Sequence, residues 1–162
     1  MKSTEEQTRR EFCASVCHVA SLAAMGGGLV AALQGCGSGS NPTGPGGSFA
    51  QLPIVSGTLG NGSISVTVDA SSPLSTVGNA ALVQSGAGDF LVARTAQDTF
   101  VALTAMCTHQ ACTITGFSSG TYLCPCHGSQ FTTTGRVVGG PAPAPLRQFQ
   151  TQFSGSVLTV LL

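Results

Sequence analysis

Apolar and polar side chains alternate in two clear stretches of the chain. Ile64, Val66 and Val68 take turns with Ser65, Thr67 and Asp69; Phe149, Thr151 and Phe153 take turns with Gln148, Gln150 and Gln152. A period of two with one polar face predicts half-buried antiparallel strands. Short runs at 80–84, 90–94, 100–105, 121–123 and 156–161 predict further strands. Gly60-Asn61-Gly62, Gly86-Ala87-Gly88-Asp89 and Ser154-Gly155 punctuate these runs as turns. From residue 49 onward no stretch carries helical periodicity and no internal repeat is visible, so the expected class is all-β. Before it the pattern changes. Residues 13–33 form a mostly apolar run without a charge, and residues 37–48 read GSGSNPTGPGGS. The latter holds no apolar anchor and predicts a flexible linker, with a mean reach of about 20 Å and a limit of roughly 40 Å. The expected division is therefore an address or anchor at 1–36, a linker at 37–48 and a β domain at 49–162.

Composition narrows the function classes. Charged residues are 7% of the 162, far below the usual quarter. Six of them (Lys2, Glu5, Glu6, Arg9, Arg10 and Glu11) precede residue 12. The rest of the chain has only Arg94, Arg136, Arg147, Asp69, Asp89 and Asp98, a formally neutral set. Three scattered arginines make no basic patch, so nucleic acid is not an expected partner. With no Trp and one Tyr, the core must be largely aliphatic.

The N-terminus reads as an address. Thr8-Arg9-Arg10-Glu11-Phe12 ahead of the apolar run resembles a twin-arginine export signal. That route moves folded proteins. Two fates of the segment stay open besides clean release. Leu33-Gln34-Gly35-Cys36 resembles a lipobox, which makes Cys36 a candidate lipidation site, although Gln34 stands where a small residue is usual. Alternatively the run is kept as a membrane helix, since its 21 residues at about 1.5 Å each span roughly the 30 Å hydrocarbon core. Both outcomes tether the protein on the periplasmic side.

The chemistry is concentrated elsewhere. Four of the seven cysteines lie between residues 107 and 126. They sit in Cys107-Thr108-His109-Gln110-Ala111-Cys112 and Cys124-Pro125-Cys126-His127-Gly128-Ser129. Each segment offers a Cys and a His at close spacing, which by itself suits zinc. Each also brings a further cysteine, for which a zinc site has no use. The two segments together resemble the Rieske family, with box one C-T-H-x-x-C and box two C-P-C-H-G-S. Gly140-Pro141-Ala142-Pro143 resembles the proline loop that covers the cluster in one branch of it.

The resemblance implies a Rieske-type antiparallel β-sandwich with a small cluster-binding subdomain at about 105–145, behind an N-terminal export or anchor helix. It implies one [2Fe–2S] cluster per chain, with Cys107 and Cys124 on the inner iron and His109 and His127 on the outer iron. It implies a Cys112–Cys126 disulfide, of the kind that persists outside the cytoplasm. That pair points to the cytochrome bc, b6f and arsenite-oxidase-like branch. Ser129 stands where the family places a hydroxyl that bonds a bridging sulfide. Phe131 stands where high-potential members carry a Tyr that bonds a cysteine sulfur. One donor is kept and one is missing, so a potential below that of the Tyr-bearing members is expected. Gln110-Ala111 replaces the usual Leu-Gly facing the quinol pocket. His18, His109 and His127 are the only histidines, so neither an oxygenase iron site nor a Ser–His–Asp triad can be built in the head. Two roles remain. One is the iron–sulfur subunit of a bc-type quinol–cytochrome c oxidoreductase, between cytochrome b with its quinol and a c-type cytochrome. The other is a stand-alone periplasmic carrier, or the small subunit of another oxidoreductase such as an arsenite-oxidase-like molybdenum enzyme.

Overall fold

A computed structural model of the chain describes residues 49–162. The export segment, the lipobox and the linker lie outside the described residues. The described part contains thirteen strands and one 3-10 turn, Pro73–Ser75. In chain order the strands are β1 (Ala50–Gln51), β2 (Ile54–Ser56), β3 (Thr58–Gly60), β4 (Ser63–Thr67), β5 (Ala80–Ser85), β6 (Gly88–Ala96) and β7 (Thr99–Thr104). They continue as β8 (Gly116–Ser118), β9 (Thr121–Leu123), β10 (Gln130–Thr132), β11 (Val137–Gly139), β12 (Gln148–Ser154) and β13 (Val157–Leu161). The all-β expectation holds. No helix of the described residues is long and apolar enough to cross a membrane.

The strands form two sheets. The larger follows the order β2-β5-β6-β7-β12-β13-β4-β3, and the smaller follows β1-β8-β9-β10-β11. Pairing is antiparallel except between β2 and β5, which run parallel with Val55 opposite Val83. The outer strands β2 and β3 of the larger sheet are joined through Gly57. That residue has no room for a side chain: a Cβ there would lie 2.5 Å from Ile64 Cγ2 and 2.9 Å from Val83 Cγ1. The close approach draws the two edges together. Asn61 and Gly62, at φ 49° and 73°, make the tight turn from β3 to β4.

Two hydrophobic cores result, and the middle strands serve both. Ala81 and Val83 of β5, Phe90 and Val92 of β6, and Ala102 of β7 pack with Ile64, Val66 and Val160. The alternate residues Leu82, Leu91, Ala93 and Leu103 pack on the opposite face with Cys107, Tyr122, Cys124 and Phe131. Strands buried on both faces read as unbroken apolar runs, which is why 80–83 shows no alternation. The smaller sheet and its loops thus rest on the back of the larger one. Arg94, 9% exposed, is satisfied without an acid. It donates to the carbonyls of Ser75 at 2.7 Å, of Leu74 at 3.3 Å and of Gln97, and it lies over the Phe100 ring.

Candidate metal centre

Both cysteine–histidine segments fold into the same six-residue loop. In box one Cys107 N–H donates to the Cys112 carbonyl at 2.8 Å, and Ala111 N–H donates to the Cys107 carbonyl at 2.9 Å. In box two Cys124 N–H donates to the Ser129 carbonyl at 2.8 Å, and Gly128 N–H donates to the Cys124 carbonyl at 3.1 Å. The fifth residue of each loop is left-handed: φ is 56° at Ala111 and 73° at Gly128. Glycine meets that demand freely, whereas alanine meets it at a cost of about 1 kcal/mol. The two boxes are therefore one backbone motif used twice, with different side chains mounted on it.

The loops bring four donors to one end of the domain. Cys107 and Cys124 are both free thiols, each 2% exposed. Burial pushes the Cys124 thiol up; the backbone N–H groups of Cys126 and His127 pull the other way, and Cys107 beside it pushes up again. At Cys124 the burial favours the thiol over the thiolate, and a metal would displace the thiol proton on binding. The His109 and His127 rings stand edge to face at 4.8 Å, with His127 exposed and His109 half-buried. Cys112 and Cys126 are bonded to each other across 6.5 Å of Cα separation and so staple the loops together. Their sulfurs lie within 4.8 Å of Cys124 Sγ, yet a disulfide leaves them no thiolate to offer a metal.

A layer of backbone closes the site. Thr108 Oγ1 donates to the Ala144 carbonyl at 2.7 Å, tying box one to the 140–145 segment. Gly140, at φ 80°, lies against box two so closely that a Cβ would meet Ser129 Cα at 2.5 Å and Gly128 O at 2.7 Å. The proline loop therefore touches both boxes, with Ala142 turned into the core beneath.

The residues fit a sulfur-rich cluster by a test internal to the structure. Buried polar atoms ordinarily find a hydrogen-bond partner. Among the described residues His109 Nδ1, Ser129 Oγ and Tyr122 Oη are buried without one. An imidazole nitrogen and a hydroxyl without a protein partner, on the loops that carry two buried thiols, suit a metal and a sulfur acceptor. Tyr122 is the residue that the motifs do not reveal. It is fully buried on β9 and lies against Phe117, with ring centroids 5.0 Å apart and planes tilted by 48°. Its signal was present in the sequence as the chain's sole Tyr, two positions before Cys124, but strand register was needed to place it.

A model of the Rieske [2Fe–2S] domain matches residues 65–150, and the chain belongs to that family. Its cofactor is a [2Fe–2S] cluster, and it is an iron–sulfur electron carrier. Among curated relatives, the chain is 42% identical over 96 residues to the cytochrome b6-f complex iron-sulfur subunit of Prochlorococcus marinus, a match covering 56% of this chain and 54% of that one. It is 35% identical over 60 residues to the same subunit of Chlorobaculum thiosulfatiphilum, covering 36% and 33%. The chain thus spans about half or less of the length of these relatives. Among solved structures it resembles the cyanobacterial plasma membrane Rieske protein of Synechocystis PCC 6803, with a TM-score of 0.50 and 30% identity, over 60% of this chain and 99% of that one.

Proposed function

We propose that the chain carries single electrons on the extracytoplasmic side of a membrane, as the iron–sulfur subunit of a bc-type quinol–cytochrome c oxidoreductase. The observation that carries this reading is the convergence of two buried free thiols and two imidazoles on twin loops, stapled by Cys112–Cys126. Cys107 and Cys124 would hold the inner iron, and His109 and His127 the outer one. When bound, the cluster supplies a one-electron acceptor and donor. The protein's own part is to shape where the electron enters and leaves. The exposed His127 presents an imidazole edge at the surface, able to accept a quinol proton or to touch a redox partner. The buried thiols keep the other half of the site dry. Ser129 Oγ, with no other partner, offers its proton to a sulfur.

The cytochrome b6-f subunits among the relatives support a quinol-side donor. The neutral head suits docking by shape and tether rather than by long-range charge steering. Arg9-Arg10 supports export by the twin-arginine route, and Cys36 or the run 13–33 supports a membrane tether through the 37–48 linker. The exposed Gln110 at the tip and the apolar Phe131 favour the second reading, a stand-alone carrier or the small subunit of another oxidoreductase. The deciding experiment is purification of the tagged full chain from its own membranes. Copurification of a b-type cytochrome, with quinol reducing the iron–sulfur signal, is the expected result. A chain that leaves the membrane alone, or with a molybdenum subunit, overturns the bc-type assignment.

A further inference from the structure

Of the three buried side-chain polar atoms without a partner among the described residues, two belong to residues already given roles; the third, the Tyr122 hydroxyl, has none. Tyr122 and Cys124 lie two residues apart along one extended segment, so both project from the same face of the small sheet. Across the strand pair, Tyr122 has Phe131 as its Cα partner, and Cys124 is bonded to Ser129 by its N–H at 2.8 Å. These four side chains form a two-by-two block, each at most 2% exposed. Cys107 packs into the same core. Tyr122 Oη bonds no protein group, neither the Ser129 hydroxyl of the same block nor a cysteine sulfur, which leaves the cluster's own sulfur as the acceptor it lacks. A hydroxyl so buried is costly to leave unbonded.

We propose that the Tyr122 hydroxyl donates a hydrogen bond to a sulfur of the cluster site, supplying from β9 the donor that Phe131 cannot supply from β10. The proposal rests on Cys107 and Cys124 being the inner ligands, and it holds whichever partners exchange the electron. A donor at sulfur stabilises the added negative charge of the reduced state and raises the potential. The absence of a hydroxyl at Phe131 then no longer marks a site with a single donor. Tyr122 is a positioning and tuning residue, not a ligand.

Tyr122→Phe removes one oxygen and keeps the ring that packs against Phe117. The loaded variant should show a three- to tenfold fall in the equilibrium constant for one-electron reduction, which at tenfold is about 59 mV downward. The double variant Tyr122→Phe/Phe131→Tyr should recover most of it. In the unmodified full chain, iron–sulfur stretching bands in resonance Raman should shift on H/D exchange, and Tyr122→Phe should remove part of that shift. This second readout stands even if Tyr122→Phe loads poorly, because in a Ser129→Ala background, where the other hydroxyl donor is gone, a hydroxyl at Tyr122 must still leave an exchange shift. A loaded Tyr122→Phe with unchanged potential overturns the proposal, as do exchange-insensitive bands in the parent. If the parent lacks the Rieske electron-paramagnetic signal altogether, the ligand assignment fails first and takes the proposal with it.

Discussion

Gly140→Ala is the sharpest perturbation of the site that leaves every proposed ligand in place. A methyl at this position would meet only backbone: Ser129 Cα at 2.5 Å, Gly128 O at 2.7 Å and Ser129 N at 2.8 Å. No rotamer can swing aside, so the proline loop and box two must part by about 1 Å to restore ordinary contact. Overpacking of this kind costs about 1–3 kcal/mol. The left-handed φ of 80° adds about 1–2 kcal/mol for any residue with a Cβ. Together these predict a loss of about 3 kcal/mol. Gly128→Ala is the internal control, because Gly128 shares the left-handed φ, at 73°, yet a Cβ there meets nothing within 4 Å. It should cost only the conformational part, about 1 kcal/mol. Denaturant unfolding of the loaded proteins, followed by the visible dichroism of the cluster, measures both. The same displacement carries Ser129 with it, so Gly140→Ala should also lower the potential by tens of mV, at about 59 mV per tenfold change in the one-electron equilibrium. Gly140→Ala no less stable than Gly128→Ala, and with the parent potential, would refute the idea that the proline loop is seated by this contact.

The remaining predictions are simpler. Ser129→Ala removes a fully buried hydroxyl that has no protein partner, and the potential should fall by tens of mV with little change in stability; an unchanged voltammogram would remove Ser129 from the cluster's donors. Ala111→Gly relieves a non-glycine residue at φ 56° and should stabilise the loaded protein by about 1 kcal/mol, read as a rise of a few degrees in the unfolding midpoint. Asp69 accepts from the hydroxyl and N–H of Ser71 and the N–H of Ser72, and these bonds hold its carboxyl below the usual range. A depressed carboxyl stabilises the fold above its unfolded pKa and loses that contribution as pH falls through the folded value. The gap in midpoint between parent and Asp69→Asn should therefore shrink on acidification; a gap constant with pH would show that the charge plays no part.

Alternation made β4 and β12 legible, because each buries one face and wets the other. The strands β5, β6 and β7 were found as apolar runs, but their central place was not, since a strand covered on both sides loses the period that would orient it. The two- and three-residue strands β1, β2 and β3 carry too few side chains to show any pattern, and β2 takes its position from Gly57, whose lack of a Cβ lets it pass between Ile64 and Val83. At the site, the motifs named the cysteines, histidines, Ser129 and the proline loop. They could not show that Gly140 touches Ser129 or that Tyr122 faces Phe131, because both facts depend on contacts between segments distant in sequence. Nor could they show the twin loops: Ala111 and Gly128 differ as residues and agree only in φ.

The twin loops also bear on how fast the electron can move. Each is closed by its own pair of backbone hydrogen bonds, and the two are joined by the disulfide. Peptide dipoles fixed in that way have little freedom to reorient when a charge arrives beside them. With His127 holding the outer iron as proposed above, little rearrangement would then accompany reduction, and transfer would depend mainly on how near the exposed His127 edge comes to the partner, a matter of encounter geometry rather than of the domain's own adjustment.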